Sequence, residues 1–229
     1  MIIDLRSYDT EVRALTAAAK PCVDQASKPR LDEMLSQLKT GRDGRMNHFI
    51  WQTLKPIVTI PTTRYDKVGR EMPAVTVEFA FYARFERLRH PDWTITRLET
   101  HLAIVSDRAA EPVLKIHFDQ ANPGQRGPYL HMQVSEQTTE KLGLRLAVPR
   151  FPFAFVLPTD VLDFLMVEFF FDDWWRRQVL APGMTHVRNA QLQRGKMLCE
   201  ALLGYCNELR ARTPVSLLQN CSFDSYRLN

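Results

Sequence analysis

Alternating hydrophobic and polar residues dominate the middle of the chain. Residues 75–88 (VTVEFAFYARFERL) place valine, phenylalanine or alanine at every second position, with mostly polar or charged residues between them. Residues 96–105 (TRLETHLAIV) alternate in the same way after a short turn segment, HPDW. A period of two is typical of a strand with one buried face and one exposed face. The two segments therefore predict an antiparallel hairpin.

The charged residues of this hairpin suggest its register. Opposite charges favour facing positions on neighbouring strands, because the two side chains then lie within contact distance. The register that satisfies this preference pairs Glu86 with Arg97, Arg84 with Glu99, and Tyr82 with His101.

Three further segments extend the predicted sheet. Residues 113–119 (VLKIHFD) and 129–134 (YLHMQV) flank the loop QANPGQRGP, whose composition is typical of a turn. Residues 143–153 (GLRLAVPRFPF) supply a fifth strand before the next helical segment. The pattern is that of an antiparallel meander.

Helical patterns flank the sheet on both sides. Residues 8–20 predict a first helix, and a second helix begins at Ser27 as N-cap and ends at Gly41. After the sheet, residues 157–177 and 186–212 predict two long helices.

Residues 157–177 (LPTDVLDFLMVEFFFDDWWRR) are apolar nearly all round. Thr159 is the expected N-cap, and Asp160 lies in the first turn, where a carboxylate favours the positive end of the helix dipole. A helix that is apolar on most faces is normally buried on most faces. The segment is therefore predicted to be the central core helix. Glu168, Asp172 and Asp173 are expected to form a strip of ion pairs with Arg176 at its end, in preference to a metal site.

Together these patterns predict an α+β fold: an antiparallel four- to five-stranded meander with N-terminal helices and two long C-terminal helices packed on one face. No glycine- or serine-rich linker divides the chain. We therefore expect a single domain over residues 1–229, helical in 1–55, a sheet in 72–150, helical in 158–212, and a short tail in 213–229.

Arginine gives the chain its basic character. The net charge is +4, and 22 of the 30 basic residues are arginine. Arginine suits bidentate contacts to phosphate or carboxylate, although a GC-rich genome produces the same bias. The C-terminal helices carry the candidate anion-binding residues, which are Arg176, Arg177, Arg188 and Arg194.

Cysteine usage and the N-terminal residues suggest a location. The four cysteines form no CxxC pair, and a chain of 229 residues needs no disulfides to fold, so reduced thiols in the cytoplasm are expected. The first residues (MIIDLRSYDTEVR) contain no continuous apolar region, and neither a signal peptide nor membrane association is expected.

Histidines concentrate on the predicted polar face of the sheet. Centring the loop between the third and fourth strands pairs Asp119 with Tyr129, His117 with His131, and Lys115 with Gln133, with His101 joining from the neighbouring strand. Imidazoles and a carboxylate on facing strands are ligands that zinc and other transition metals require, and histidine also serves in general acid–base chemistry. A partner-binding face and an ordinary solvated surface are the alternatives, and no HExxH motif decides between them.

The order of elements resembles one known architecture. A helix, a meander, the proline-bearing segment VPRFP and C-terminal helices follow one another as in RWD and ubiquitin-conjugating folds. No cysteine lies between Cys22 and Cys199, so the resemblance implies an inactive, protein-binding member.

Two functions remain open at this stage. The first is a non-catalytic cytoplasmic binding or accessory module that contacts a protein or nucleic-acid partner; its aromatic anchors near loops would be Trp51, Trp93, Tyr129, Phe151 and Phe153. The second is a metal-dependent hydrolase of phosphodiester type, in which a divalent metal is held by His101, His117, His131 and Asp119. The oligomeric state is open, with a homo-oligomer among the options.

Overall fold

The computed structural model describes residues 2–65, 72–89, 92–109, 111–120, 130–135, 138, 140, 151–152 and 157–208. The strands are β1 (Ile2–Asp4), β2 (His48–Gln52), β3 (Ile57–Val58), β4 (Val75–Arg89), β5 (Asp92–Ser106), β6 (Leu114–Gln120), β7 (Leu130–Val134) and β8 (Phe151–Pro152). The helices are α1 (Leu5–Ala19), a 3-10 turn (Lys20–Cys22), α2 (Lys28–Asp43), α3 (Pro158–Phe169), α4 (Phe171–Leu180) and α5 (Met184–Glu208).

The strands form an antiparallel sheet in the order β2-β4-β5-β6-β7-β8, with β1 paired to β5 and β3 paired to β4. The meander from β4 to β8 and the helices at both ends confirm the predicted α+β fold. The first three strands were not predicted, because segments of two to five residues are too short to show a period of two. Most of the predicted fifth strand, the loop 121–129 and the tail 213–229 lie outside the described residues.

One face of the sheet forms the core. The positions of β4 that the alternation assigned to the buried face are all buried: Val75, Val77, Phe79, Phe81, Ala83 and Phe85. All of them except Val75 join a hydrophobic cluster with Leu15 of α1, Leu38 of α2 and Leu165 of α3. The N-terminal and C-terminal helices therefore pack on this face and leave the polar residues of the long strands on the other.

The predicted register of the first hairpin was wrong by two residues. Arg84 faces Arg97, Tyr82 faces Glu99, and Ala80 faces His101. The strands continue to Arg89 and Asp92, so the connection is shorter than predicted, and a bulge follows Arg84. The expected cross-strand ion pairs are replaced by pairs along each strand, Arg84 with Glu86 at 3.2 Å and Arg97 with Glu99 at 2.6 Å.

The predicted central helix is two helices. Phe170 has φ −134° and ψ 31°, which interrupts the helix between α3 and α4, and the N-cap of α3 is Leu157 rather than Thr159. The prediction of burial on most faces was wrong, because Phe164, Phe171 and Trp175 are 43%, 53% and 59% exposed. Among the helices of the described residues, none combines the length and the apolar character needed to span a membrane.

Helix α2 continues through Gly41 instead of ending there. Gly41 is buried, and a Cβ at this position would lie 2.4 Å from the ring of Phe49 on β2. That ring is stacked on Phe85, with centroids 4.8 Å apart, and contacts Trp93 edge-on at 5.1 Å. The glycine therefore permits close packing between helix and strand and does not act as a helix end.

We expect Gly41→Ala to destabilise the protein by about 1–2 kcal/mol, because the overpacking of a buried ring outweighs the gain of about 0.5–1 kcal/mol in helix propensity. Gly195→Ala in α5 is the matched control, since a Cβ there meets nothing within 4 Å. It should stabilise by about 0.5–1 kcal/mol. Urea unfolding of both variants measures this, and a gain in stability for Gly41→Ala would contradict the packing argument.

A buried ion cluster joins three helices. The guanidinium of Arg194 on α5 donates two hydrogen bonds of 2.8 Å to Glu11 on α1 and one of 2.5 Å to Asp160 on α3. Arg194 and Glu11 are each 1% exposed. Burial lowers the pKa of Arg194, but Asp160 and Glu11 raise it by more, so the guanidinium stays charged. The prediction of Arg194 as a surface anion-binding residue was wrong, because the side chain is buried and both of its terminal nitrogens bind internal carboxylates.

We expect the stability contribution of Asp160 to fall as the pH rises from about 4 to about 6. Burial raises the pKa of Asp160 from 3.8 to about 6, although Arg194 favours the charged form. A carboxyl group with a higher pKa in the folded state binds protons on folding, so ionising it costs stability. At roughly 1.4 kcal/mol per pKa unit, the effect is at most about 3 kcal/mol.

Urea unfolding between pH 4 and pH 7 measures this effect. The free energy of unfolding of the wild type should decline with pH relative to that of Asp160→Asn, which cannot titrate. Asp107→Asn, at an exposed loop position, controls for the loss of one carboxylate. Parallel pH profiles for the wild type and Asp160→Asn would rule out a raised pKa at this position.

Candidate functional site

The structure brings most of the sequence-predicted site residues onto the polar sheet face, which we define as the side of β4–β7 opposite the helices. In one row across the strands, Glu99 faces Asp119, which faces His131. In the next row His101 faces His117. The face is therefore as predicted, but its pairing is not.

The register of β6 with β7 differs by two residues from the prediction. His117 faces Gln133 instead of His131, and Asp119 faces His131 instead of Tyr129. A shift of two keeps each side chain on its own face, so the hydrophobic pattern does not distinguish the two registers. Tyr129 lies outside the described residues.

His101 and His117 are in direct contact. Their ring centroids are 4.5 Å apart with an angle of 74° between the planes, and His101 is 40% exposed. Burial lowers the pKa of both imidazoles, and repulsion between the two rings when both are protonated lowers that of His117 further. Both rings are therefore neutral at pH 7, the form in which histidine binds metals.

The other predicted residues do not converge on this pair. His131 is 2% exposed, and Lys115 faces Ala103, one row beyond His117. Within the described parts of the chain, no group of three histidine, cysteine, aspartate or glutamate side chains is placed so that it could hold a metal ion. The metal centre thus remains a prediction that rests on the histidine pair.

Charges on the polar sheet face are balanced locally. Arg84 and Arg97 pair with glutamates of their own strands, and the guanidinium of Arg97 also lies 5.2 Å from the ring centre of Tyr82. The face therefore presents neighbouring positive and negative groups and no surface of a single sign.

The remaining anion-binding candidates lie on two different helices. Arg176 of α4 and Arg188 of α5 are exposed. Arg177 is half-buried and contacts Cys22, where burial raises the pKa of the thiol while the guanidinium opposes that rise.

The predicted aromatic anchors Trp51 and Trp93 belong to the core. They are 0% and 3% exposed, and the indole N–H of Trp51 donates to the carbonyl oxygen of Met34 at 2.9 Å. The prediction failed because Trp51 and Trp93 lie within strands β2 and β5, and not in the loops that precede them. Tyr129 and Phe153 lie outside the described residues, and of Phe151 only its place in β8 is described.

The two most exposed aromatic residues of the described chain lie instead just after the junction of α3 and α4. Phe171 and Trp175 are stacked on the surface of α4, with ring centroids 6.4 Å apart and an angle of 19° between the planes. Phe171 lines a cavity of about 800 Å³ between residues 60–64 and the helix junction, and Trp175 extends this aromatic surface beyond the cavity. We call this cavity and the two rings the aromatic groove.

Several contacts hold the walls of the aromatic groove together. The hydroxyl of Thr62 donates to the carbonyl oxygen of Phe169 at 3.3 Å, which fixes the loop to the end of α3. On the other side of the junction, Trp174 is 1% exposed and its indole N–H donates to Asp163 at 2.8 Å. Because Trp174 is held inward, its neighbour Trp175 points to solvent.

Acidic side chains surround the aromatic groove. Among the described residues, its lining contains Glu168, Asp172 and Asp173 against one basic residue, Arg64. The predicted strip of ion pairs with Arg176 does not form: in the described part of the chain, no ion pair joins Asp172 or Asp173 to that arginine. Both carboxylates lie in the first turn of α4, where they stabilise its N-terminus.

This groove could have been found from one signal in the sequence. Two consecutive aspartates after a phenylalanine run are typical of the first turn of a helix, and here they mark the start of α4. The continuous apolar pattern hides this start, because residues on both sides of the break are aromatic.

Comparison with known proteins finds no relative. No protein-family model, no curated protein and no solved structure matches the chain significantly. The resemblance to RWD and ubiquitin-conjugating folds is therefore one of element order alone, and function must be inferred from the geometry.

Proposed function

We propose that this protein is a non-catalytic binding module of the cytoplasm that contacts a protein partner through the aromatic groove. The observation that carries the proposal is the stacked pair of Phe171 and Trp175, each more than half exposed, beside a cavity of about 800 Å³. The described cysteines Cys22 and Cys199 are free thiols, as expected for a reducing compartment.

Exposed aromatic residues of this kind favour a protein interface. Tryptophan and other large side chains contribute most of the binding energy at interface centres, where they fill pockets on the partner. A ring that is 59% exposed leaves apolar area in contact with water unless a partner covers it. Stacking of Phe171 on Trp175 limits the motion of both rings, so little conformational entropy is lost on binding.

Charge distribution favours a protein over a nucleic acid. The arginines of the polar sheet face are paired with glutamates, and Arg194 is neutralised inside the helices. Among the described residues that line the aromatic groove, three are carboxylates and one, Arg64, is basic. A phosphate backbone would be repelled from such a surface, because nucleic-acid binding depends on unpaired basic groups.

A metal-dependent hydrolase is the second candidate, and the contact between His101 and His117 is the observation that favours it. Two neutral imidazoles on facing strands supply two ligands of a metal site, and a metal-bound water is the usual nucleophile for phosphodiesters. We rank this function second because the described residues provide no third ligand beside the pair.

We expect the double variant Phe171→Ala/Trp175→Ala to weaken binding of the partner at least tenfold while the fold is retained, since both rings are exposed. The partner is first captured by a photo-crosslinking amino acid at position 175, with position 192 as control. Leu192 is also 59% exposed but lies on α5. The captured protein is then purified, and its dissociation constant is measured with the wild type and the double variant.

Equal crosslinking from both positions, or equal affinity of the double variant, would refute the proposed interface. Repeating the measurement between 50 and 200 mM salt identifies the class of partner. A protein should show a shallow dependence, whereas a nucleic acid contacted at several phosphates loses about 10³–10⁵ in affinity.

The hydrolase predicts bound metal that depends on the histidines. In that case the purified, untagged protein contains near-stoichiometric zinc, manganese or iron, and His117→Ala/His131→Ala loses it. We expect elemental analysis to find no difference between the two proteins, because the described residues place only two imidazoles in contact. Metal in the wild type alone would reverse the ranking of the two functions.

A further inference from the structure

A second surface, independent of the aromatic groove, lies at the edge of the sheet. Strand β2 is the terminal strand of the described sheet and pairs with β4 on one side. The amide of Arg87 donates to the carbonyl of Asn47, and that of Thr53 to the carbonyl of Phe81. Asn47, Thr53 and the odd-numbered residues between them therefore turn their backbone groups toward β4.

The alternate residues of β2 turn their backbone groups outward, away from the sheet, because neighbouring residues of a strand point in opposite directions. These residues are His48, Ile50 and Gln52. Gln52 is already satisfied, since its amide donates to the side-chain oxygen of Gln37 on α2 at 3.1 Å. At His48 and Ile50, no comparable contact to the amide exists among the described residues, and both side chains are exposed.

Helix α2 runs beside this edge and forms a groove with it. A cavity of about 430 Å³, which we call the edge groove, lies between the helix and the strand. Its helix side includes Glu33, Ser36, Gln37, Thr40 and Gly41, which share one face of α2. Its strand side includes Met46, His48, Phe49 and Ile50. A groove between a helix and a sheet edge is the arrangement in which extended peptides are bound by strand addition.

Nothing in the sequence of β2 protects its edge from pairing. Natural proteins commonly block an edge strand with lysine, proline or an inward-pointing charge. The sequence of the strand is His-Phe-Ile-Trp-Gln and contains none of these residues. Its central residue, Ile50, is 47% exposed. The edge therefore remains competent to accept another strand.

We propose that the edge groove binds an extended peptide segment of a partner protein, which adds a strand to β2. The outward backbone groups of His48 and Ile50 are two residues apart, a spacing that an extended chain matches along its length. Phe49 and Met46 offer apolar contact to the side chains that point into the groove. Glu33 is the carboxylate of the lining, so a lysine or arginine of the peptide complements the charge of the groove.

The test selects a random heptapeptide library, displayed on phage, against the full-length wild-type protein. Selected peptides should bind Ile50→Pro, which lacks the outward amide, at least tenfold more weakly than they bind the wild type. They should bind Ile50→Val with the same affinity as the wild type. Proline is tolerated at this position because the amide of Ile50 does not take part in the ladder with β4. Methylation of alternate peptide amides, which removes the donors without changing the side chains, should abolish binding.

Three results would overturn the proposal: no peptide is enriched, the selected peptides bind Ile50→Pro as tightly as the wild type, or methylated peptides still bind. Self-association of the wild type that Ile50→Pro abolishes would also overturn it, because the occupant would then be a second copy of this chain.

If Ile50→Pro does not fold, hydrogen exchange of the backbone amides in the wild type decides. A selected peptide must then slow exchange at His48 and Ile50, and unchanged rates there refute strand addition.

Discussion

The buried contact of Arg194 with Glu11 and Asp160 determines how the helices are arranged. The three residues come from α5, α1 and α3, and the guanidinium of Arg194 is the common partner of the two carboxylates. Removing Arg194 would leave both carboxylates without that partner in an apolar environment. This cluster therefore contributes to the positions of α3 and α5 against the N-terminal helix. Because α3 ends at the aromatic groove, the cluster also contributes to the position of that groove.

The two proposed binding surfaces occur where regular elements end, and not on the sheet face that the histidines suggested. The aromatic groove lies where α3 stops at Phe169, and the edge groove lies where the sheet stops at β2. Between these ends, most apolar side chains are buried, and Arg84 and Arg97 are paired with glutamates of their own strands. The stacked aromatic pair and the outer edge of β2 are both found at the ends of elements, where a partner can contact them.

The long strands were predictable because a period of two over fourteen residues in β4 and ten in β5 is typical of strands and not of helices. Their register was not, because a shift of two residues preserves every face and charge pairing is too weak to select among registers. The break at Phe170 was hidden for a similar reason, since aromatic residues continue across it. The alternation predicted that His101 and His117 share one sheet face on separate strands, but not that they face each other. The exposure of Phe171 and Trp175 depended on the unpredicted break.

The distribution of tryptophans gives this protein a built-in optical reporter. All four tryptophans lie in the described residues, and Trp51, Trp93 and Trp174 are each at most 3% exposed, whereas Trp175 is 59% exposed. A neutral quencher in the solvent therefore reaches one indole and spares three. The red-edge emission of the native chain comes from the aromatic groove itself, so occupancy of that groove can be followed by fluorescence without attaching a dye.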